Sequence, residues 1–292
     1  MPDQYYSPVG QCIYCLTKQL PTDKGRFGDE HIIPFALGGN LILREASCDN
    51  CARIINTQIE TPVLFKEWGY LRIKRNFPTR SKSSTRRTHV KLMKRDGSPM
   101  KMPISDYSCP VPLYKFKQAR ILSGLPRGDD NLHWTMDILT TKAEEEAAQR
   151  KYPEWNWAHS IQALPYQFAR LLAKIGFSYV VAEYGLNGFR PLTTDIILGQ
   201  SDDYFFHVGG SLEVPEAIPG NDHVTKISLL FTSTTRSLII VDIRLFSQIR
   251  TPEYHVVVGE IDLSIAEHLA TFERHRAAKK FQNLNNAANS AL

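Results

Sequence analysis

Cys12-Ile13-Tyr14-Cys15 and Cys48-Asp49-Asn50-Cys51 are separated by 32 residues and enclose the segment Asp29-Glu30-His31-Ile32-Ile33-Pro34. Thiolates two residues apart on a tight turn can reach one ion, and four of them complete a tetrahedral zinc. The spacing predicts a structural zinc held by Cys12, Cys15, Cys48 and Cys51, with four buried reduced thiols as the alternative. A structural rather than a catalytic zinc is expected at those sulfurs, because four sulfurs leave no open coordination position. The fifth cysteine, Cys109, has no companion and reads as structural.

Working outward, Ile32–Phe35 and Leu41–Leu43 flank Leu37-Gly38-Gly39-Asn40, a strong turn signal, and predict a β-hairpin. From the second cysteine pair the run to Glu60 has no helix breaker. A helix is therefore expected to begin there and to continue, with a break near Pro62, to about Arg75. The first 77 residues form one expected unit, and residues 78–101 a basic linker and hairpin. Residues 102–292 form a larger mixed α/β domain of unassigned role. Within these parts the reading places a hairpin from His89–Met93 and Met100–Ile104, and a polar helix over Thr141–Lys151. It also places an amphipathic helix carrying Phe168, Leu171, Leu172, Ile175 and Tyr179. Strands are expected at Tyr204–Val208, Lys226–Thr232, Ser237–Leu245 and Tyr254–Val258, then a capped helix over Ser264–Ala277 and a frayed tail from Gln282. The fold class is α+β.

The chain has 292 residues, is 42% hydrophobic and carries a net charge of +5. That charge is unevenly placed. Residues 71–101 hold eleven lysines and arginines against the single Asp96, so this segment is +10 and the remainder −5. Such a stripe attracts polyanions far better than the same charge spread over a surface. Arg72, Lys74, Arg75, Arg80, Lys82, Arg86 and Arg87 are the expected nucleic-acid contacts, with a solvated linker as the plainer explanation. Trp68, Tyr70 and Phe77 interleave with the cations; core packing is their commoner fate, and stacking on bases the sharper one. No 18-residue apolar run exists and the N-terminus lacks a signal-peptide pattern, so no membrane partner and a cytoplasmic setting are expected.

The order Cys12, Cys15, Glu30-His31-Ile32-Ile33-Pro34, Gly38-Gly39, Cys48, Cys51 resembles the HNH endonucleases, His-metal finger nucleases built on a zinc-stapled, treble-clef-like ββα fold. The likeness covers roughly residues 10–62. It implies hydrolysis of DNA phosphodiesters, with His31 as general base and Glu30 as ligand to one Mg²⁺ or Mn²⁺, Asp29 being its rival. Family members usually carry Asn or His directly after the last cysteine to complete the metal site, whereas this chain has Ala52. Asn56 and Glu60 follow at helical spacing and are the two substitutes. If neither serves, the implied function is a catalytically weak or inactive zinc-finger nucleic-acid-binding protein. Asn40, nearest to the family's central Asn, reads as a turn residue. Defence against foreign DNA and a homodimer through the C-terminal domain complete the expectations.

Overall fold

The computed structural model describes residues 3–20, 25–78, 88–128, 133–156, 162–220, 223–231 and 236–262. The architecture is mixed α/β. Strand β1 (Gln4–Tyr6) pairs in parallel with β3 (Leu41–Ser47), whose other edge takes β2 (Gly28–His31) antiparallel, with Glu30 opposite Leu43 and His31 opposite Ile42. The first hairpin strand thus ends at His31, earlier than expected. Ile32 and Ile33 leave the strand and turn into the core, and Phe35–Leu37 forms a 3-10 turn.

The two glycines of that turn have different jobs. Gly38 sits at φ +84°, a left-handed position that L side chains rarely adopt. Gly39 packs directly on Ile33, so that an added Cβ would lie 2.0 Å from the Ile33 carbonyl oxygen.

Helix α1 (Asp49–Ile55) begins at Cys48 and runs on through two π-helical stretches, Asn56–Glu60 and Pro62–Glu67, into α2 (Gly69–Lys74). The expected break at Pro62 is thus a local widening. Proline lacks the N–H that an α-helix needs, and a π-turn absorbs the misfit. Hairpin β4 (His89–Met93) and β5 (Pro99–Pro103) follows, then hairpin β6 (Val111–Phe116) and β7 (Trp134–Leu139), and helix α3 (Lys142–Lys151).

Helix α4 (Pro165–Tyr184) is the centre of the molecule. It was expected to be amphipathic, but every residue from Phe168 to Ser178 is buried, Arg170 and Lys174 included. One side meets an antiparallel sheet and another meets the π-helical stretch after α1, so no face is left for water. After β8 (Arg190–Pro191) come α5 (Thr194–Leu198), α6 (Tyr204–His207), β9 (Val208–Gly210), β10 (His223–Phe231), β11 (Arg236–Leu245) and β12 (Tyr254–Asp262). The sheet runs β10-β11-β12-β8, with β9 sharing the outer edge of β12. Residues 204–207, expected as strand, are therefore a short helix leading into a strand of three residues. The helix expected over Ser264–Ala277 lies outside the described residues.

A single buried cluster unites Phe27, Ile32, Ile55, Ile59, Val63 and Trp68 with Phe168, Leu171, Phe177, Val241 and Val256. The boundary near residue 77 divides the chain but not the core. Trp68 packs edge-on against Phe168 and Phe246, and Phe77 stacks on Phe246. Tyr70 meets Tyr107 edge-on. These aromatics are packing residues, which leaves stacking on bases without support. The Tyr114 hydroxyl donates to Glu67 and accepts from the Leu164 amide at 2.6 Å, joining the π-helical stretch to β6 and the start of α4.

Two outcomes follow from this packing. Gly39→Ala is expected to lose at least about 2 kcal/mol in urea denaturation, since the close contact is with backbone that cannot yield; a loss near zero would show the turn to be adaptable. Burial pushes the Glu67 carboxyl up from 4.5 to about 7, with the Tyr114 hydroxyl opposing. A raised carboxyl favours the folded state below its ordinary range, and that contribution is lost as pH climbs toward and through 7. The melting temperature of the wild type relative to Glu67→Gln should therefore fall between pH 4.5 and 8, and a constant difference would contradict it.

Candidate metal and carboxylate centre

The sulfurs of Cys12, Cys15, Cys48 and Cys51 lie within 4.8 Å of one another. Cys15 and Cys48 are 3.7 Å apart, and a tetrahedron of 2.3 Å zinc–sulfur bonds has edges of about 3.8 Å. The backbone prepares this geometry. Cys12 N–H binds the Thr17 carbonyl and Leu16 N–H binds the Cys12 carbonyl, closing the first knuckle with Leu16 in a positive-φ conformation (φ 59°). The second pair sits on the first turn of α1, where Cys48 is the N-cap. A hydrogen bond from Cys51 is the largest influence holding the Cys12 thiol down, to about 4, so the cluster favours at least one thiolate. The donor set, its spacing and its ionisation fit zinc. Cys109, elsewhere, is a half-buried thiol that burial pushes up to about 12.

Strand alternation sends Glu30 inward and leaves His31 partly exposed, its ring edge-on to Phe35 at 5.5 Å. The Glu30 carboxylate is 2.6 Å from Lys174 Nζ, and Glu60 approaches the same ammonium at 3.3 Å. Lys174 Nζ also donates to the His31 carbonyl, and lies 3.4 Å from that of Ile32. The lysine side chain is wholly buried. Burial alone would lower its pKa; Glu30 and Glu60 outweigh burial and hold it above the ordinary lysine value. Glu30 is shifted upward, chiefly by burial, with Lys174 opposing and Glu60 assisting. The Tyr14 hydroxyl faces the same carboxylates and is also raised, by burial first and then by their charge.

The two candidates for the missing ligand thus separate. Glu60 shares a cation with Glu30. Asn56 is exposed, with its amide oxygen 3.4 Å from the Thr61 hydroxyl. Asp29, the rival of Glu30, accepts from the Glu45 amide at 3.0 Å instead of joining the centre. Lys174 had no sequence signal beyond a lysine within the apolar run Leu171-Leu172-Ala173-Lys174-Ile175. A divalent ion bound by Glu30 and Glu60 would need the space and the oxygens that the ammonium already uses. The residues present do not fit a catalytic Mg²⁺ or Mn²⁺.

The basic segment also divides. Arg72 is buried and gives its guanidinium to the carbonyls of Ala36, Leu64 and Pro78, over the Phe65 ring. Lys74 binds Glu144 and the Tyr107 carbonyl, both at 2.7 Å. Both are scaffold cations, which corrects their expected place at a nucleic acid. Arg75 is exposed; Arg80, Lys82, Arg86 and Arg87 lie outside the described residues. Cross-strand partners Lys91 and Lys101 are both exposed. Among the described residues no helix is long and apolar enough to cross a membrane.

Metal analysis of protein purified without added chelator should find one zinc per chain. Cys48→Ser should lose it along with much of the thermal stability, and full zinc retention would exclude the four-sulfur site. Comparison with protein-family models, curated proteins and solved structures finds no match to this chain.

Proposed function

We propose that this chain is an HNH-like, zinc-stapled protein that grips the phosphate backbone of nucleic acid without cutting it through a divalent ion. The observation that carries the binding is the exposed face of the β4–β5 hairpin. Lys91 stands directly opposite Lys101, and neither has an ion-pair partner among the described residues. Like charges in register repel, and a polyanion laid across them relieves that repulsion. Lys94 and Arg95 at the hairpin turn extend the same charge. Contacts of this type position a backbone and do not read sequence.

The order of elements supports the HNH likeness: two antiparallel strands, then a helix opening on the second cysteine pair. A second reading is the metal-dependent endonuclease. It is favoured by the meeting of Glu30, Glu60 and the His31 strand end at one place. In that reading His31 takes a proton from the attacking water, as an imidazole base can. Lys174 weighs against it, because its charge stands where the cation would be needed.

Purified protein is expected to shift double-stranded DNA at low salt, with affinity falling steeply as salt rises. Charge reversal of both Lys91 and Lys101 should weaken binding about tenfold or more. Plasmid incubated with Mg²⁺ or Mn²⁺ should stay intact. Nicking that EDTA stops and His31→Ala abolishes would put the endonuclease in its place. Absence of any DNA shift would remove the binding reading, and absence of nicking as well would remove both.

A further inference from the structure

We infer that Lys174 is a built-in substitute for a divalent cation, and that the oxygens around it form a latent divalent-metal site opened by removing the lysine. Four oxygens from two segments of the N-terminal finger converge on one nitrogen: carboxylates of Glu30 and Glu60, and carbonyls of His31 and Ile32. An all-oxygen set of two carboxylates and two backbone carbonyls suits a hard divalent ion. A wholly buried lysine is rare unless paired, and here the whole oxygen set serves that one ammonium.

The charge balance points the same way. Two carboxylates against one ammonium leave one negative charge over, whereas a dication would balance both. The ammonium also cannot move aside. Lys174 lies mid-way along α4 with both helical neighbours, Ala173 and Ile175, fully buried, and its own side chain has no exposed surface. Replacement by metal therefore requires removal of the side chain, not its rotation.

The inference stands on this geometry alone and does not depend on nucleic-acid binding. Its test is Mn²⁺ binding to zinc-loaded full-length protein, followed by electron paramagnetic resonance, together with melting temperature at increasing Mg²⁺. Wild type should bind no Mn²⁺ at this centre, and its melting temperature should not respond to Mg²⁺. Lys174→Met keeps the length of the side chain but supplies no charge. It should bind one Mn²⁺ per chain and regain, with millimolar Mg²⁺, melting temperature that it lost. The double variant Glu30→Gln/Lys174→Met should fold but bind at least tenfold more weakly. Mn²⁺ binding by wild type that Glu30→Gln removes would overturn the inference. So would a Lys174→Met protein that gains neither bound ion nor stability from added metal. DNA shifts measured on the same samples report separately on the proposed function.

Discussion

Lys174 carries its charge into the middle of a buried helix, and the finger supplies both carboxylates that make this tolerable. Transferring an ammonium from water into a protein interior costs several kcal/mol, and only close, well-directed partners offset it. Glu30 at 2.6 Å, Glu60 at 3.3 Å and two strand-end carbonyls meet that need. Removing one partner of such a group typically costs about 3–5 kcal/mol, because the other charge is left buried and alone. The end of β2, the π-helical stretch after α1 and the centre of α4 are therefore held in one relative position. That position also fixes where His31 stands and how the apolar residues on either side interlock.

Other polar links repeat the pattern of distant segments tied through the central helix. Arg170 Nη2 reaches Gln58 at 3.2 Å and the Ile197 carbonyl at 2.8 Å, bringing the π-helical stretch and α5 to α4. Tyr6 donates to Glu183 at 2.6 Å near the far end of the helix. Gly176 permits the sheet to come close, for an added Cβ there would meet Val256 and Val258 at 3.2 Å. The helix carries few charges, and Arg170, Lys174 and Glu183 each mark a neighbouring segment.

Features encoded within a few residues were legible in the sequence. The cysteine pairs are local knuckles, and the long strands β10, β11 and β12 are apolar runs bounded by turns. The hairpin of β4 and β5 surrounds an Asp-Gly turn. Features set by contacts across the chain were not. Residues 204–207 have the aromatic content of a strand, yet they form one helical turn whose Phe205 and Phe206 carbonyls accept from the Arg120 and Ile121 amides. The convergence of Glu30 and Glu60 could be suspected from helical spacing. Its occupant could not, since Lys174 is 143 residues from the His31 carbonyl it binds. Charge density in residues 71–101 could not separate exposed Lys91 and Lys101 from Arg72 and Lys74, which the fold uses internally.

The continuous core has a bearing on how such a finger can be inherited. Phe27, Ile32, Ile55, Ile59 and Val63 share one buried cluster with Phe168, Leu171 and Phe177, and α4 packs on the π-helical stretches after α1. Zinc can staple the two knuckles of an N-terminal fragment, but it cannot cover that apolar face or neutralise Glu30. A transferable module would have to carry α4 along with the finger. In this protein the smallest unit that could be exchanged between genes is thus discontinuous: some seventy residues at the start of the chain plus a helix that begins at Pro165.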